Sequence, residues 1–83
     1  MMVENKIYEM IMAKAKTKKD ISEILDDNDL VFDLGLDSLS LVELIVDIES
    51  EFDIEIGEEE IEEVYKYGRL IKYVEKKVAE ANN

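Results

Sequence analysis

A chain of 83 residues carries a net charge of −12 on 47% hydrophobic residues and contains neither cysteine nor histidine. That inventory excludes thiolate nucleophiles, disulfides, zinc sites of the usual ligand types and imidazole acid–base chemistry. A core this thin leaves little room for the walled cleft that most catalysis needs, so residues 1–83 read as one small, non-catalytic domain.

Ile7, Met10, Ile11 and Ala15 recur at helical spacing and predict a first helix over about residues 3 to 16. Lys16, Lys18 and Lys19 follow it, where positive charge favours the negative pole of the helix. The stretch DISEILDDNDLVFDLG, residues 20–35, is rich in Asp and Asn and reads as a long loop with a short turn at Ser22 to Leu25. Its expected apolar anchors are Ile21, Ile24, Leu25, Leu30, Phe32 and Leu34. An ordered loop of that length in so small a domain points to function.

A second helix is predicted over Ser38 to Phe52. Leu39, Val42, Ile45 or Val46, Glu49 and Phe52 step by three and four residues, with Leu41, Leu44 and Ile48 broadening the apolar stripe. Glu43, Asp47 and Glu51 lie off it. Gly35 supplies a permissive backbone before the helix, and Asp37 or Ser38 is placed to cap its first amides. Gly57 marks a break, and EEEIEEV, residues 58–64, reads as a short third helix with Ile61 and Val64 inward. A last helix begins near Tyr67 or Gly68 and buries Leu70, Ile71, Val74 and Val78, with Lys72, Lys76 and Lys77 outside. No stretch makes a convincing strand. The expected fold is all-α: a small four-helix bundle with a long loop between helices 1 and 2 and a short third helix.

Charge is unevenly placed along this scheme. All but four of the 22 acidic residues lie between Lys19 and Lys66, a stretch with no basic residue. Such a field repels nucleic acid and anionic membranes and steers basic protein surfaces toward the middle of the chain. The plainer reading is that the acidity keeps a small domain soluble. No apolar run approaches membrane-spanning length, and the N-terminal apolar residues are mixed with Glu4, Lys6, Glu9 and Lys14, unlike a signal peptide. A soluble, stand-alone, cytoplasmic monomer is expected.

Ser38 stands out within FDLGLDSLSLVEL, residues 32–44. A serine at a helix start is ordinarily a cap. Here it follows a long loop and would be exposed near a positive helix pole, where a phosphodiester on its hydroxyl would sit comfortably. The core Leu34-Gly35-Leu36-Asp37-Ser38-Leu39, followed by Val42-Glu43-Leu44, Glu51-Phe52 and Glu55-Ile56, resembles the signature of the acyl carrier protein family, and the likeness covers nearly the whole chain.

The resemblance implies that Ser38 is the serine esterified with 4'-phosphopantetheine from coenzyme A by a phosphopantetheinyl transferase. Asp37 and Leu39 would be recognised beside it. Acyl or aminoacyl groups would ride on the arm as thioesters, supplying the thiol that the chain lacks. Leu39 and Val46 would offer apolar contact to partner enzymes. Glu43, Asp47 and Glu49 would meet the basic docking surfaces of loading, condensing or modifying enzymes. Core packing is the competing reading for Leu39 and Val46, and a solvated face for the carboxylates. In carriers that sequester cargo the chain enters the bundle, with Leu44, Ile45, Phe52, Ile56, Ile61 and Ile71 as lining residues here. Gly57 in place of proline, Lys66 and Tyr67 in place of a Thr-Val pair, and Ser40 and Ser50 in place of acids depart from many fatty-acid carriers. Fatty acid or polyketide-type synthesis, a peptidyl or aminoacyl pathway, and an unmodified interaction module all stay open. DDND at 26–29 and GEEEIEE at 57–63 lack EF-hand spacing, so no metal site is expected.

Overall fold

The computed structural model describes residues 3–57, 59–60 and 64–81. Three α-helices carry the fold: α1 (Val3–Met12), α2 (Ser38–Phe52) and α3 (Tyr67–Ala81), with a 3-10 turn at Ile21–Glu23. Among the described residues there is no strand, only an isolated antiparallel bridge between Asp29 and Lys66. Of the expected short third helix, residues 58–64, residues 58 and 61–63 lie outside the described residues. Beside that gap Glu60 N–H donates to the Gly57 carbonyl at 2.9 Å, and Val64 is buried.

Helix α1 ends at Met12, short of the expected residue 16. The cause is tertiary: the N–H groups of Lys16 and Thr17 both donate to the Leu34 carbonyl, at 3.1 and 3.2 Å, which turns the chain out of the helix. Lys18 Nζ donates to the Met12 carbonyl and so satisfies one of the last groups of α1. Ala15 stays buried in spite of the turn.

The core joins Ile7 and Ile11 of α1, Leu41, Leu44, Ile45 and Ile48 of α2, and Tyr67, Leu70, Ile71 and Val74 of α3. Ala15, Ile24, Leu30, Leu34, Leu36, Ile56 and Val64, outside the α-helices, complete it among the described residues. Among the described residues no buried polar side-chain atom lacks a partner. Tyr67, itself buried, donates its hydroxyl to Glu4 at 3.0 Å and so ties α3 to the first turn of α1. Desolvation, together with the Glu4 carboxylate, pushes the Tyr67 hydroxyl well above the usual phenol range.

Two expected loop anchors point outward. Leu25 is 65% exposed and Phe32 is 89% exposed. Asp29 is responsible for Phe32: its Oδ1 accepts the N–H groups of Val31 and Phe32 at 2.8 and 2.9 Å, and its carbonyl accepts those of Asp33 and Leu34. That turn sends Leu30 and Leu34 into the core and Phe32 to solvent. At Leu25 the N–H is held by Asn28 Oδ1 at 2.8 Å, so the backbone is fixed with the side chain outside.

The apolar stripe of α2 also divides. Leu41, Leu44, Ile45 and Ile48 are buried, whereas Leu39, Val42 and Val46 are 70%, 57% and 54% exposed. Residues two apart on a helix differ by about 200° in direction, so stripes starting at 39 and at 41 face nearly opposite ways. Only one of them can face α1 and α3.

A strap then fixes the long loop against the start of α3. Leu30 N–H donates to the Tyr65 carbonyl at 2.8 Å, Tyr67 N–H to Asn28 at 2.9 Å and Gly68 N–H to Asp26 at 3.0 Å. The strap places Tyr65 beside α2.

Candidate functional site at the N-terminus of α2

The approach to α2 is set by three consecutive backbone choices. Gly35 takes φ +78, a left-handed turn that L side chains rarely adopt. Leu36 then buries its side chain and donates its N–H to the Leu30 carbonyl at 3.0 Å. Asp37 follows in extended conformation as the N-cap, its Oδ1 accepting the Ser40 N–H at 2.8 Å.

Of the two expected caps, Asp37 is therefore the one used. The Ser40 N–H holds the Asp37 carboxyl below its usual range, with the Ser40 hydroxyl and the charge of Lys16 adding to the effect. Ser38 becomes the first helical residue, exposed, and among the described residues no hydrogen bond uses its hydroxyl. A free hydroxyl projects at the positive end of a 15-residue helix.

Beside it opens a groove of about 290 Å³ lined by Ser38, Leu41, Val42, Ile45, Val46, Glu49, Ile56 and Tyr65. Ser38 stands at one end of this lining and Glu49, three turns along the helix, at the other. Of the expected cargo-lining residues only Ile45 and Ile56 reach the groove. Leu44 is closed off in the core, Ile71 belongs to the buried face of α3, Phe52 is half-buried, and Ile61 lies outside the described residues. Leu41, Val42 and Tyr65 were not expected here. Tyr65 arrives through the strap, which nothing local in the sequence announces.

The carboxylates of α2 do three different things. Glu49 Oε2 accepts the Ile56 N–H at 2.9 Å and so fixes one wall of the groove. Asp47 and Glu43 both face Lys14, whose Nζ lies 3.5 Å from Asp47 Oδ2 and 3.8 Å from Glu43 Oε1. Glu51 faces Lys6 at 3.9 Å. Leu39 and Val46 stand clear of the core, so the packing reading fails for both. In the loop, Asn28 and Asp29 spend their side chains on backbone amides.

An uncommitted hydroxyl on a helix N-terminus, opening onto an apolar groove, fits a small carrier domain with a covalent arm. A family model described as the phosphopantetheine attachment site matches residues 6–74. The acyl carrier protein of Desulforapulum autotrophicum is 40% identical over 77 residues, covering 93% of this chain and 99% of the relative. That of Chlorobium phaeobacteroides is 37% identical over 75 residues, covering 90% and 94%. That of Buchnera aphidicola is 40% identical over 75 residues, covering 90% and 91%. The chain belongs to the acyl carrier protein family, as the motif around Leu34 to Leu39 implies. Among the described residues no helix is long and apolar enough to cross a membrane.

Proposed function

We propose that Ser38 is the attachment point of 4'-phosphopantetheine and that the chain presents acyl groups from it, in fatty acid or polyketide-type synthesis, without making or breaking bonds itself. The observation that carries this reading is the division of labour at the helix start: Asp37 caps, which leaves the Ser38 hydroxyl free and exposed. When bound, the group supplies the terminal thiol that a chain without cysteine lacks and holds the acyl group as a thioester. The positive pole of α2 favours a phosphodiester at Ser38, and the groove from Leu41 to Ile56 offers apolar shelter to an attached chain.

Docking of partner enzymes belongs to the exposed side of α2. Leu39 and Val46 supply apolar contact there. Glu43, Asp47 and Glu49 supply carboxylates for the basic surfaces of a phosphopantetheinyl transferase and of loading, condensing or modifying enzymes. Asp37 and Leu39 flank the modified serine and are read with it. The working form is a cytoplasmic monomer of one domain.

The test is the intact mass of the protein before and after incubation with coenzyme A and a broad-specificity phosphopantetheinyl transferase, with Ser38→Ala alongside. A gain of one phosphopantetheine in the wild type alone is expected. No gain in folded protein, while a control carrier is modified, would leave an unmodified interaction module.

A further inference from the structure

We infer that Lys14 tunes docking on α2 by competing, from within the chain, with a partner's cation for Glu43 and Asp47. The inference rests on the docking role proposed for α2 above. Lys14 sits just past α1, in a turn where its N–H donates to the Ile11 carbonyl at 3.0 Å, so its backbone is fixed. Its side chain is only 22% exposed, while those of Glu43 and Asp47 are 55% and 54% exposed. The two acids are one helical turn apart on the same edge of α2, and the ammonium lies 3.5 Å from one and 3.8 Å from the other. It already pairs with the two carboxylates that an arriving Arg or Lys would meet.

A partner cation must therefore share both carboxylates with Lys14 and meets like-charge repulsion from it. Shielding of the lysine stem reduces the screening that weakens a fully exposed pair. Lys6 acts in the same sense on Glu51, 3.9 Å away, at the other end of the row. The acidic edge of α2 is thus tempered along its α1 side, whereas the exposed stripe Leu39, Val42 and Val46 is left as it is. Partners that recognise α2 through apolar contact keep their affinity. Partners that rely on a cation opposite Glu43 or Asp47 are held back. Lys14 is a positioning residue in this sense: it acts through the two acids and touches no cargo.

The experiment measures the rate of arm transfer from coenzyme A to Ser38 by a basic-surfaced phosphopantetheinyl transferase, from low to high salt. It compares wild type, Lys14→Met, Lys14→Gln, Lys14→Arg and a charge-matched control on α3, Lys72→Met. At low salt both neutral Lys14 variants should gain roughly threefold in kcat/KM through a lower KM, and lose the gain as salt screens it. Lys14→Arg should follow the wild type, and Lys72→Met should gain less than Lys14→Met. Neutral variants with the wild-type rate and salt slope, or a gain matched by Lys72→Met, would overturn the inference and leave the carrier reading intact. A wild type that accepts no arm at all would remove the docking reading, and the inference with it. Melting curves on each variant show which are folded, and Lys14→Gln keeps the comparison should the methionine variant unfold.

Discussion

Glu49 holds Ile56 across the bend that ends α2, its carboxylate accepting the Ile56 N–H at 2.9 Å. The same residue's carbonyl accepts the N–H of Asp53, which takes a left-handed φ of 54, and that of Ile54 at 3.1 Å. One glutamate thus folds the chain back along its own helix and stands Ile56 up as a wall of the groove. A residue expected from the sequence to sit on a solvated face or a docking rim has a structural task first.

Removing that carboxylate leaves a partly buried amide without a partner. Glu49→Ala should lose about 1–3 kcal/mol of stability in urea unfolding, with faster hydrogen exchange at the Ile56 amide. Glu49→Gln keeps an acceptor in place and should recover most of both. An alanine variant with wild-type stability and wild-type protection at Ile56 would show that the bend is held by other contacts.

Two glycines mark close backbone approaches. A Cβ at Gly68 would lie 2.6 Å from Asp26 Cβ, and the Gly68 N–H is already bonded to the Asp26 carbonyl, so neither chain can easily retreat. A Cβ at Gly35 would meet Lys16 Cβ at 2.9 Å with φ already at +78. Gly68→Ala should cost roughly 1–3 kcal/mol through overpacking. Gly35→Ala should cost at least the ~1–2 kcal/mol of a left-handed alanine. Melting temperatures measure both; a neutral Gly68→Ala would mean that the backbone at Asp26 gives way freely.

The limits of α2 and the start of α3 were legible because helical periodicity and local punctuation agree there. Asp37 and Gly35 open α2, and Phe52 closes its last turn before a left-handed Asp53. The early end of α1 was hidden, since it depends on the Leu34 carbonyl more than twenty residues away. Phe32 shares the apolar character of the true anchors, but the side chain of Asp29, not hydropathy, sets its direction. The family motif from Leu34 to Leu39 could be read directly. The groove beside it could not, because Tyr65 and Ile56 come to α2 through the strap and the Glu49 bond, neither of which has a periodic signal. Two apolar stripes on one helix also look alike until α1 and α3 select between them.

Acid should weaken the cap of α2 in a defined window. Because the folded Asp37 carboxyl lies below its usual range, the stability it contributes is complete above the unfolded carboxylate pKa of about 4 and is lost as pH falls through the lower folded value. Protonation of the other acids also relieves repulsion in a chain of net charge −12, so the wild-type curve alone mixes opposing trends. The stability difference between wild type and Asp37→Ala separates them. It should be flat from pH 7 to about 5 and shrink below about 4. An equal difference at pH 3 and pH 7 would mean that capping does not need the charge.

Truncation on opposite faces of α2 should separate folding from docking. Leu44 is fully buried, so Leu44→Ala should cost about 2–5 kcal/mol by leaving a cavity in the core. Leu39 and Val46 are more than half exposed, and their alanine variants should stay within about 0.5 kcal/mol of wild type. On the docking role proposed for this stripe, Leu39→Ala and Val46→Ala should raise KM in arm-transfer assays while their urea midpoints stay unchanged. Unchanged kinetics in both would leave the exposed stripe without a docking role, and would place recognition on Asp37 and the loop that precedes Ser38.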